Sequence, residues 1–376
     1  MTVHIAIPIL REFSNIPRLL SDIGNQDYND IKCWFCVNNP EEWHEDVSHA
    51  ADIEDNRKTL DYLNKNKDEN FTVIDKSSRG RAFPLKNSGV GWARKVLFDK
   101  ITGVADDNDL IISMDADTCF GNDYVSSVMD NFRCHKNVIA LCVPYYHPLT
   151  GVEKQDSGIL RYELYMRHYM VNMLRINNPY AFTALGSAMA FPVKSYRKVR
   201  GITPRQSGED FYLLQKFRKS GELLLWNDSH VYPMGRCSDR VAFGTGPALI
   251  KGLNGDWSSY PFYNPLIFDE VKQTFDLFNC LYHADIEMPM MQFLKNVFKT
   301  EDLWGPLRKN YTTEKAFIHA CMVKVDALRI LQYLRYRQQS VEVFSVEVSQ
   351  AERDRLYEIE NELRKSHDDT IHKLTL

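Results

Sequence analysis

The sequence predicts an α/β protein with a mainly parallel central sheet flanked by helices, followed by an α-helical C-terminal region. In the first part of the chain, short apolar runs typical of buried strands alternate with helical patterns, which indicates βαβ units and parallel strands. Three later segments, 270–299, 314–338 and 350–366, are helical in pattern and contain few turn residues. We therefore expect an α/β domain over 1–265 and a helical region over 266–376.

The first βα unit carries clear local signals. The apolar run 4–10 predicts a strand, and Ser14 as a possible cap with Pro17 in the first turn predicts a helix over 14–26. Similar apolar runs predict four more strands, and the segments between them predict three more helices. The further strands are expected at 31–39, 71–75, 109–115 and 138–146, and the helices at 52–65, 88–101 and 123–132.

The remaining elements of the α/β domain alternate less regularly. A long amphipathic helix is predicted over 157–174, followed by a glycine-bearing strand or loop over 184–193. The helix predicted over 209–221 is closed by Gly221, and the apolar run 222–226 predicts another strand.

Composition places the chain among ordinary globular proteins. Its 376 residues are 44% hydrophobic and 26% charged. A net charge of −4 argues against a nucleic-acid binder, although a local basic cluster would suffice for a small nucleotide. No apolar run reaches the roughly 18 to 20 residues of a membrane span, and no secretory signal is visible. We expect a cytoplasmic protein, for which peripheral association with a membrane stays open; the oligomeric state is not predicted.

Two carboxylates follow the strand predicted at 109–115. Asp115 and Asp117 come directly after a buried apolar run, and the carboxyl ends of such strands are where open α/β sheets bind ligands. Like charges this close need a cation or hydrogen-bond donors nearby. Hard oxygen ligands suit Mg²⁺ or Mn²⁺, with coordination positions left for phosphate oxygens. We therefore predict a metal at Asp117, with Asp115 close to it.

The same residues also match the opening motif of haloacid-dehalogenase-type phosphatases. In that reading Asp115 is the nucleophile, Asp117 is the general acid/base, and Thr118 completes the motif. That family usually opens its fold with this strand, whereas three predicted strands precede it here. No Gly-Asp-x-x-x-Asp follows downstream to complete a magnesium site.

A second acidic pair stands at the start of the helix predicted over 209–221. Glu209 and Asp210 suit a helix N-terminus, where the dipole and free N–H groups stabilise carboxylates. A carboxylate held in a cleft could also serve as a general base toward an acceptor hydroxyl, and Gly208 would let a substrate approach. We predict that Asp210 and Glu209 are catalytic.

Basic residues with nearby glycines precede the carboxylate strand. Arg79, Arg81, Lys86 and Arg94 could line a path for a diphosphate, and Gly89 opens the following helix. The segment "GVGWAR" resembles a dinucleotide-binding turn, but no acidic residue suits the ribose role. A solvated surface is the alternative for these charges.

A second basic segment follows the strand predicted at 222–226. His230 could complete the metal shell, because imidazole is a common ligand. Arg236 and Arg240 stand close to the glycines of 244–246. A basic, glycine-hinged loop of this kind is suited to close over a leaving diphosphate.

In order, these motifs resemble the family 2 glycosyltransferases, which have the GT-A fold. The opening "IAIPILREFSNIPRLLSDIGNQDY" is similar to that family's first strand, turn and helix, and "GVGWAR" to its Gly-x-x-x-Ala-Arg helix start. "ISMDADTCFGNDYV" resembles its metal motif, and "SGEDFYLLQKF" its Glu-Asp helix. The resemblance covers roughly residues 3 to 248.

The resemblance implies a metal-dependent, inverting transfer of a sugar from a nucleotide-diphosphate sugar to a sugar, glycolipid or other hydroxyl acceptor. It implies that Asp115 and Asp117 hold the metal and diphosphate, with Asp210 as the base. Pro8, Leu10 and Glu12 would contact the nucleotide. The chain departs from the family at Asn38 or Asn39, where an Asp is common, and at Lys95, where Asn is frequent; we place Asn38 with the nucleotide-contacting residues.

A non-catalytic protein is the remaining alternative. A sugar-nucleotide-binding scaffold would act through its helical tail, whose last predicted helix has exposed charges and a thin stripe of Leu356, Ile359 and Leu363. The presence of Asp115, Asp117 and Asp210 together favours an enzyme, since a dead site would not need all three.

Overall fold

The strands occur in the predicted order along the chain. The computed structural model describes residues 1–237 and 244–375, and the following statements concern these residues. The strands are β1 (Val3–Ile9), β2 (Ile31–Asn38), β3 (Phe71–Lys76), β4 (Leu110–Ser113), β5 (Cys119–Phe120), β6 (Ala140–Cys142), β7 (Met189–Pro192), β8 (Leu223–Leu224) and β9 (Val231–Tyr232).

Seven of these strands form one sheet in the order β3-β2-β1-β4-β7-β6-β8. β1 pairs in parallel with β2 on one side and with β4 on the other, with Ala6 opposite Ser113. Only β7 runs antiparallel to its neighbours β4 and β6. β1 and β4 are almost wholly apolar and buried, as expected of strands covered on both faces. The predicted α/β fold with a mainly parallel sheet is confirmed.

The helices confirm most of the predicted segments and correct two. The range 270–299 is not one helix, since one helix ends at Asp276 and the next begins at Met291. The range 314–338 is divided before Asp326, whose carboxylate caps the second part. The helices are α1 (Ile16–Gly24), α2 (Ala50–Lys65), α3 (Val90–Thr102), α4 (Tyr124–Cys134), α5 (Glu153–Arg175), α6 (Val193–Lys198), α7 (Glu209–Ser220), α8 (Thr245–Leu253), α9 (Pro265–Asp276), α10 (Met291–Phe298), α11 (Gly305–Asn310), α12 (Glu314–Lys324), α13 (Ala327–Gln338) and α14 (Gln350–Thr375).

The chain divides into two compact units. The first comprises Met1–Tyr162, Phe182–Trp257 and the chain from Arg364 onward, and the second comprises Glu163–Ala181 and Ser258–Leu363. The boundary after residue 265 stays a prediction. Among the described residues, every helix is too short or too polar to cross a membrane.

In the first unit, the end of α14 caps the edge of the sheet. β8 is the edge strand, and the residues after it present backbone groups that no further strand pairs. The carboxylate of Asp368 accepts the N–H groups of Leu225 at 3.0 Å and Trp226 at 2.9 Å. The guanidinium of Arg364 donates to the carbonyl of Leu225 at 2.8 Å. The C-terminal end of the chain is therefore part of the sheet unit.

The second unit buries a cluster of four charged side chains from α5 and α14. Arg167 donates to Glu163 and, at 2.8 Å, to Glu360, and Arg353 lies 3.5 Å from Glu163. All four are at most 1% exposed. The charges balance, as buried ions must. α14 therefore buries charged side chains besides Leu356, while Arg355 and Glu358 on the same helix are exposed, as expected of a surface helix.

Candidate functional site

A cavity of about 390 Å³ opens at the carboxyl ends of β1 and β4. Both strands are parallel neighbours, so the residues that follow them leave the sheet at the same edge. This volume lies within the range of small-molecule sites. The cavity walls come from the segments after β1 and β4, from residues 184–187, from the start of α7, and from residues on either side of 238–243.

The two aspartates after β4 lie in the cavity wall on a tight turn. The N–H of Thr118 donates to the carbonyl of Asp115 at 3.1 Å, which closes the turn. Arg18 of α1 donates to the carbonyl oxygens of Ala116 at 3.3 Å and Thr118 at 3.2 Å, and these bonds stabilise the turn. Asp115 and Asp117 both line the cavity, as their position after a buried strand predicted.

Arg94 links the two acidic motifs from inside the protein. Its guanidinium donates to Asp115 at 2.5 Å, to Ser113 at 3.2 Å, and to Glu209. The side chain is only 3% exposed. Burial alone would lower the pKa of Arg94, but the surrounding carboxylates, Asp115 first, raise it above its ordinary value. Arg94 lies in the cavity wall and bridges two carboxylates, and its predicted contact with a diphosphate stays a prediction.

Glycines make this close approach feasible. A Cβ on Gly186 would lie 2.0 Å from the guanidinium of Arg94, so a side chain has no room there. A Cβ on Gly91 would lie 2.2 Å from the carbonyl oxygen of Arg205, and one on Gly89 would lie 2.9 Å from that of Gln206. The start of α3 therefore packs directly on the backbone that leads into α7.

Glu209 and Asp210 enter the cavity at the N-terminus of α7. Glu209 is 1% exposed, and burial raises its pKa to about 7 against the opposing charge of Arg94. Its second carboxylate oxygen is buried and has no hydrogen-bond partner among the described residues. Asp210 is half-buried, and burial raises its pKa as well. Of the two, Asp210 is the better placed to meet a ligand.

Arg236 brings a second guanidinium to the cavity. It donates to Asp117 at 2.9 Å and also to Glu12, whose side chain is 6% exposed. The role expected for Arg236, contact with a leaving diphosphate, stays a prediction. Here Arg236 touches the carboxylates themselves.

The residues expected to contact a nucleotide lie together. Pro8, Leu10, Glu12 and Asn38 all line the cavity. The amide nitrogen of Asn38 donates to the carbonyl of Ile9 at 2.9 Å. This bond orients the Asn38 side chain, whose carboxamide oxygen remains as an acceptor.

Several predicted site residues lie elsewhere. Arg81 pairs with Asp75 and is 71% exposed, and neither it nor Lys86 lines the cavity. Gly89 is a packing residue at the start of α3. His230 does not line the cavity either; its ring lies edge-on to Trp226 at 5.0 Å. Arg240 falls outside the described residues.

Sequence patterns missed part of the lining. Tyr162 and Met234 contribute apolar surface, and Gly186 gives Arg94 its space. Gly186 could have been found as the glycine inside the run expected to be a strand or loop. Tyr162 carried no signal, since an aromatic residue on an amphipathic helix is usually read as core.

The charged residues that line the cavity indicate whether a divalent metal ion could bind there. Five carboxyl groups (Glu12, Asp115, Asp117, Glu209 and Asp210) face two guanidinium groups in one cavity. In the described part of the chain, no group of three or more His, Cys, Asp or Glu side chains is placed to hold an ion. Nucleotide-dependent Mg²⁺ and Mn²⁺ need only one or two carboxylates, because phosphate oxygens and waters complete the shell. Asp117 and Asp115 fit that role.

Comparisons with known proteins found similar structures only. No protein-family model and no curated protein matches the sequence. Residues 1–349 of Staphylococcus aureus TarS, solved with UDP-GlcNAc, match with 13% identity over 97% of this chain and 92% of that one, at a TM-score of 0.46. The mannosyltransferase PcManGT from Pyrobaculum calidifontis, solved with GDP-Man and Mn²⁺, matches with 12% identity over 85% of both chains, at 0.39.

A third similar structure is glucosyl-3-phosphoglycerate synthase from Mycobacterium tuberculosis with Mn²⁺, UDP and glucosyl-3-phosphoglycerate. It matches with 11% identity over 60% of this chain and 69% of that one, at 0.37. All three TM-scores lie below 0.5, so function is inferred below from the site alone.

Proposed function

We propose that the chain is a metal-dependent glycosyltransferase that uses a nucleotide-diphosphate sugar. The observation that carries this proposal is one cavity that holds both acidic pairs, Asp115 with Asp117 and Glu209 with Asp210. One pair is suited to a metal-bound diphosphate and the other to an acceptor hydroxyl. The catalytic region would be 1–265, with 266–376 as a helical region, in a cytoplasmic protein.

The donor would bind across the edge formed by β1 and β4. Pro8, Leu10 and Asn38 would contact the nucleotide, with the acceptor oxygen of Asn38 facing an N–H of the base. Asp117 and Asp115 would hold the divalent ion, which when bound neutralises the diphosphate as it leaves. The excess of carboxylates in the cavity lining supports a role for the metal ion, because a diphosphate without a bound ion would be repelled.

On the acceptor side, Asp210 would take the proton of the attacking hydroxyl. Its raised pKa brings it closer to neutral pH, where a general base works best. Arg94 would hold Asp115 and Glu209 in place between donor and acceptor. Attack by the hydroxyl oxygen on the anomeric carbon from the face opposite the diphosphate would give inversion. The acceptor class is a sugar, a glycolipid or another hydroxyl compound.

A donor panel tests this proposal. Nucleotide release from UDP-, GDP-, dTDP- and CMP-sugars is measured with Mn²⁺, Mg²⁺ or EDTA, for wild type and Asp117→Ala. We expect metal-dependent release from one donor that is lost in a folded Asp117→Ala protein. Absence of both release and donor binding would overturn the proposal, and hydrolysis of simple phosphate esters instead would favour a phosphatase. Donor binding without release under any acceptor would favour a scaffold.

A further inference from the structure

Arg236 holds a position that a divalent ion would also need. One nitrogen of its guanidinium contacts Asp117 at 2.9 Å and also Glu12. Both carboxylates line the cavity and are largely buried. In a low-dielectric wall such contacts are stronger than at a free surface. The guanidinium and a metal ion are therefore alternative partners for the same carboxylate of Asp117.

One hydrogen-bond donor of Arg236 is not used by these contacts. Its Nε atom is buried and has no hydrogen-bond acceptor among the described residues. An unmade bond of a buried charged group is unfavourable, so the present position satisfies Arg236 only in part. A diphosphate in the cavity would offer several anionic oxygens to a guanidinium, which binds them in a two-pronged manner.

We propose that Arg236 is a resident counter-cation that opposes metal binding at Asp117 until a nucleotide diphosphate draws the guanidinium away. The inference rests on the proposed function. Without nucleotide, Arg236 neutralises Asp117 and Glu12 and weakens the hold of the site on Mn²⁺ or Mg²⁺. With nucleotide, Arg236 moves from Asp117 to the diphosphate, and the metal takes its place. Metal and donor therefore bind together.

Manganese binding measures this competition directly. The fraction of free Mn²⁺ is read from its electron paramagnetic resonance signal during titration with protein, first with Mn²⁺ alone and then with UDP or GDP as the nucleotide probe. Arg236→Gln keeps a polar side chain but removes the charge. Arg57→Gln is the matched control, because Arg57 is exposed and pairs with Glu54 and Asp61 on the surface of α2.

Arg236→Gln is expected to strengthen the binding of Mn²⁺ alone and to weaken the binding of the nucleotide. For Mn²⁺ alone, Arg236→Gln should bind about tenfold more tightly than wild type, the scale of one charge-assisted hydrogen bond. With nucleotide, the variant should bind the nucleotide about tenfold more weakly, because the diphosphate has lost a partner. Arg236→Lys keeps a charge on a shorter side chain, so both of its affinities should lie between those of wild type and Arg236→Gln. Arg57→Gln should match wild type.

Two results would contradict these expectations, and each contradicts a different proposal. If Mn²⁺ alone binds equally to wild type, Arg236→Gln and Arg57→Gln, Arg236 does not oppose the metal and the inference is overturned while the proposed function stands. If wild type binds neither Mn²⁺ nor nucleotide when both are present, the proposed function itself is overturned. Circular dichroism and thermal unfolding confirm that each variant is folded.

Discussion

The guanidinium of Arg94 donates a 2.5 Å hydrogen bond to the carboxylate of Asp115. The same group also pairs with Glu209, so one buried cation connects the turn after β4 with the start of α7. These acidic residues belong to different motifs and are distant in sequence. Arg94 therefore holds the two motifs together, and in the proposed reaction it would set the distance from donor to acceptor.

Removal of Arg94 should destabilise the protein. Arg94→Met leaves Asp115 and Glu209 without their buried partner, which should lower the free energy of unfolding by about 3–5 kcal/mol. Urea unfolding followed by circular dichroism measures the change. Arg57→Met removes an exposed arginine and should stay within about 0.5 kcal/mol of wild type. Equal stability of the two variants would show that the bridge does not hold the site.

The buried carboxyl of Glu209 should make stability depend on pH. Its pKa is raised from 4.5 to about 7, so between these values the native state binds more protons than the unfolded state. The free energy of unfolding should therefore fall as the pH rises from 4.5 through 7. We expect wild type to lose roughly 2 kcal/mol more than Glu209→Gln between about pH 5 and 8.

Glu222→Gln is the control for this pH dependence. Glu222 follows α7 at its other end and its side chain is 49% exposed. This variant should show the same pH dependence of unfolding as wild type. If Glu209→Gln also kept the wild-type slope, burial would not be the source of the effect.

Asp210 should act on transfer and not on donor binding. Asp210→Asn keeps the shape of the side chain but cannot accept a proton, so the transfer rate should fall by about 10²–10⁴-fold. Affinity for the donor, measured by calorimetry with Mn²⁺ present, should stay as in wild type. Unchanged transfer would assign the base elsewhere, with Glu209 as the next residue to test.

Gly91 should be required for the position of α7. In Gly91→Ala the new Cβ would lie 2.2 Å from the carbonyl oxygen of Arg205, so the backbone before Glu209 must move. We expect a loss of about 1–3 kcal/mol in unfolding free energy together with slower transfer. Gly24→Ala is the control, because nothing lies within 4 Å of its Cβ. An equally harmless Gly91→Ala would contradict the close packing.

Asp368 should stabilise the edge of the sheet. Asp368→Ala leaves the buried N–H groups of Leu225 and Trp226 without an acceptor, which should lower the free energy of unfolding by about 2–4 kcal/mol. Its exposed neighbour Asp369 supplies the control, since Asp369→Ala should change stability by less than about 0.5 kcal/mol. A similar loss in both variants would indicate a general effect on α14.

Much of the site could be predicted from local patterns. Asp115 and Asp117 follow a buried strand, and Glu209 and Asp210 begin a helix; strand and helix ends at one sheet edge are where ligands bind. Local sequence could not separate Arg94 from Arg81, because both are basic residues in the same glycine-bearing segment. Only burial distinguishes them: one is 3% exposed and bridges two carboxylates, and the other is 71% exposed.

The sequence by itself determined the alternation of strands and helices, the parallel sheet and the acidic motifs, because hydrophobic periodicity and helix-start residues act over a few neighbours. The tertiary structure decided which charges meet. The pairs Arg94–Glu209 and Arg236–Glu12 join residues that are far apart along the chain. Such pairs form only when the fold brings distant segments of the chain together, and no local pattern records that step.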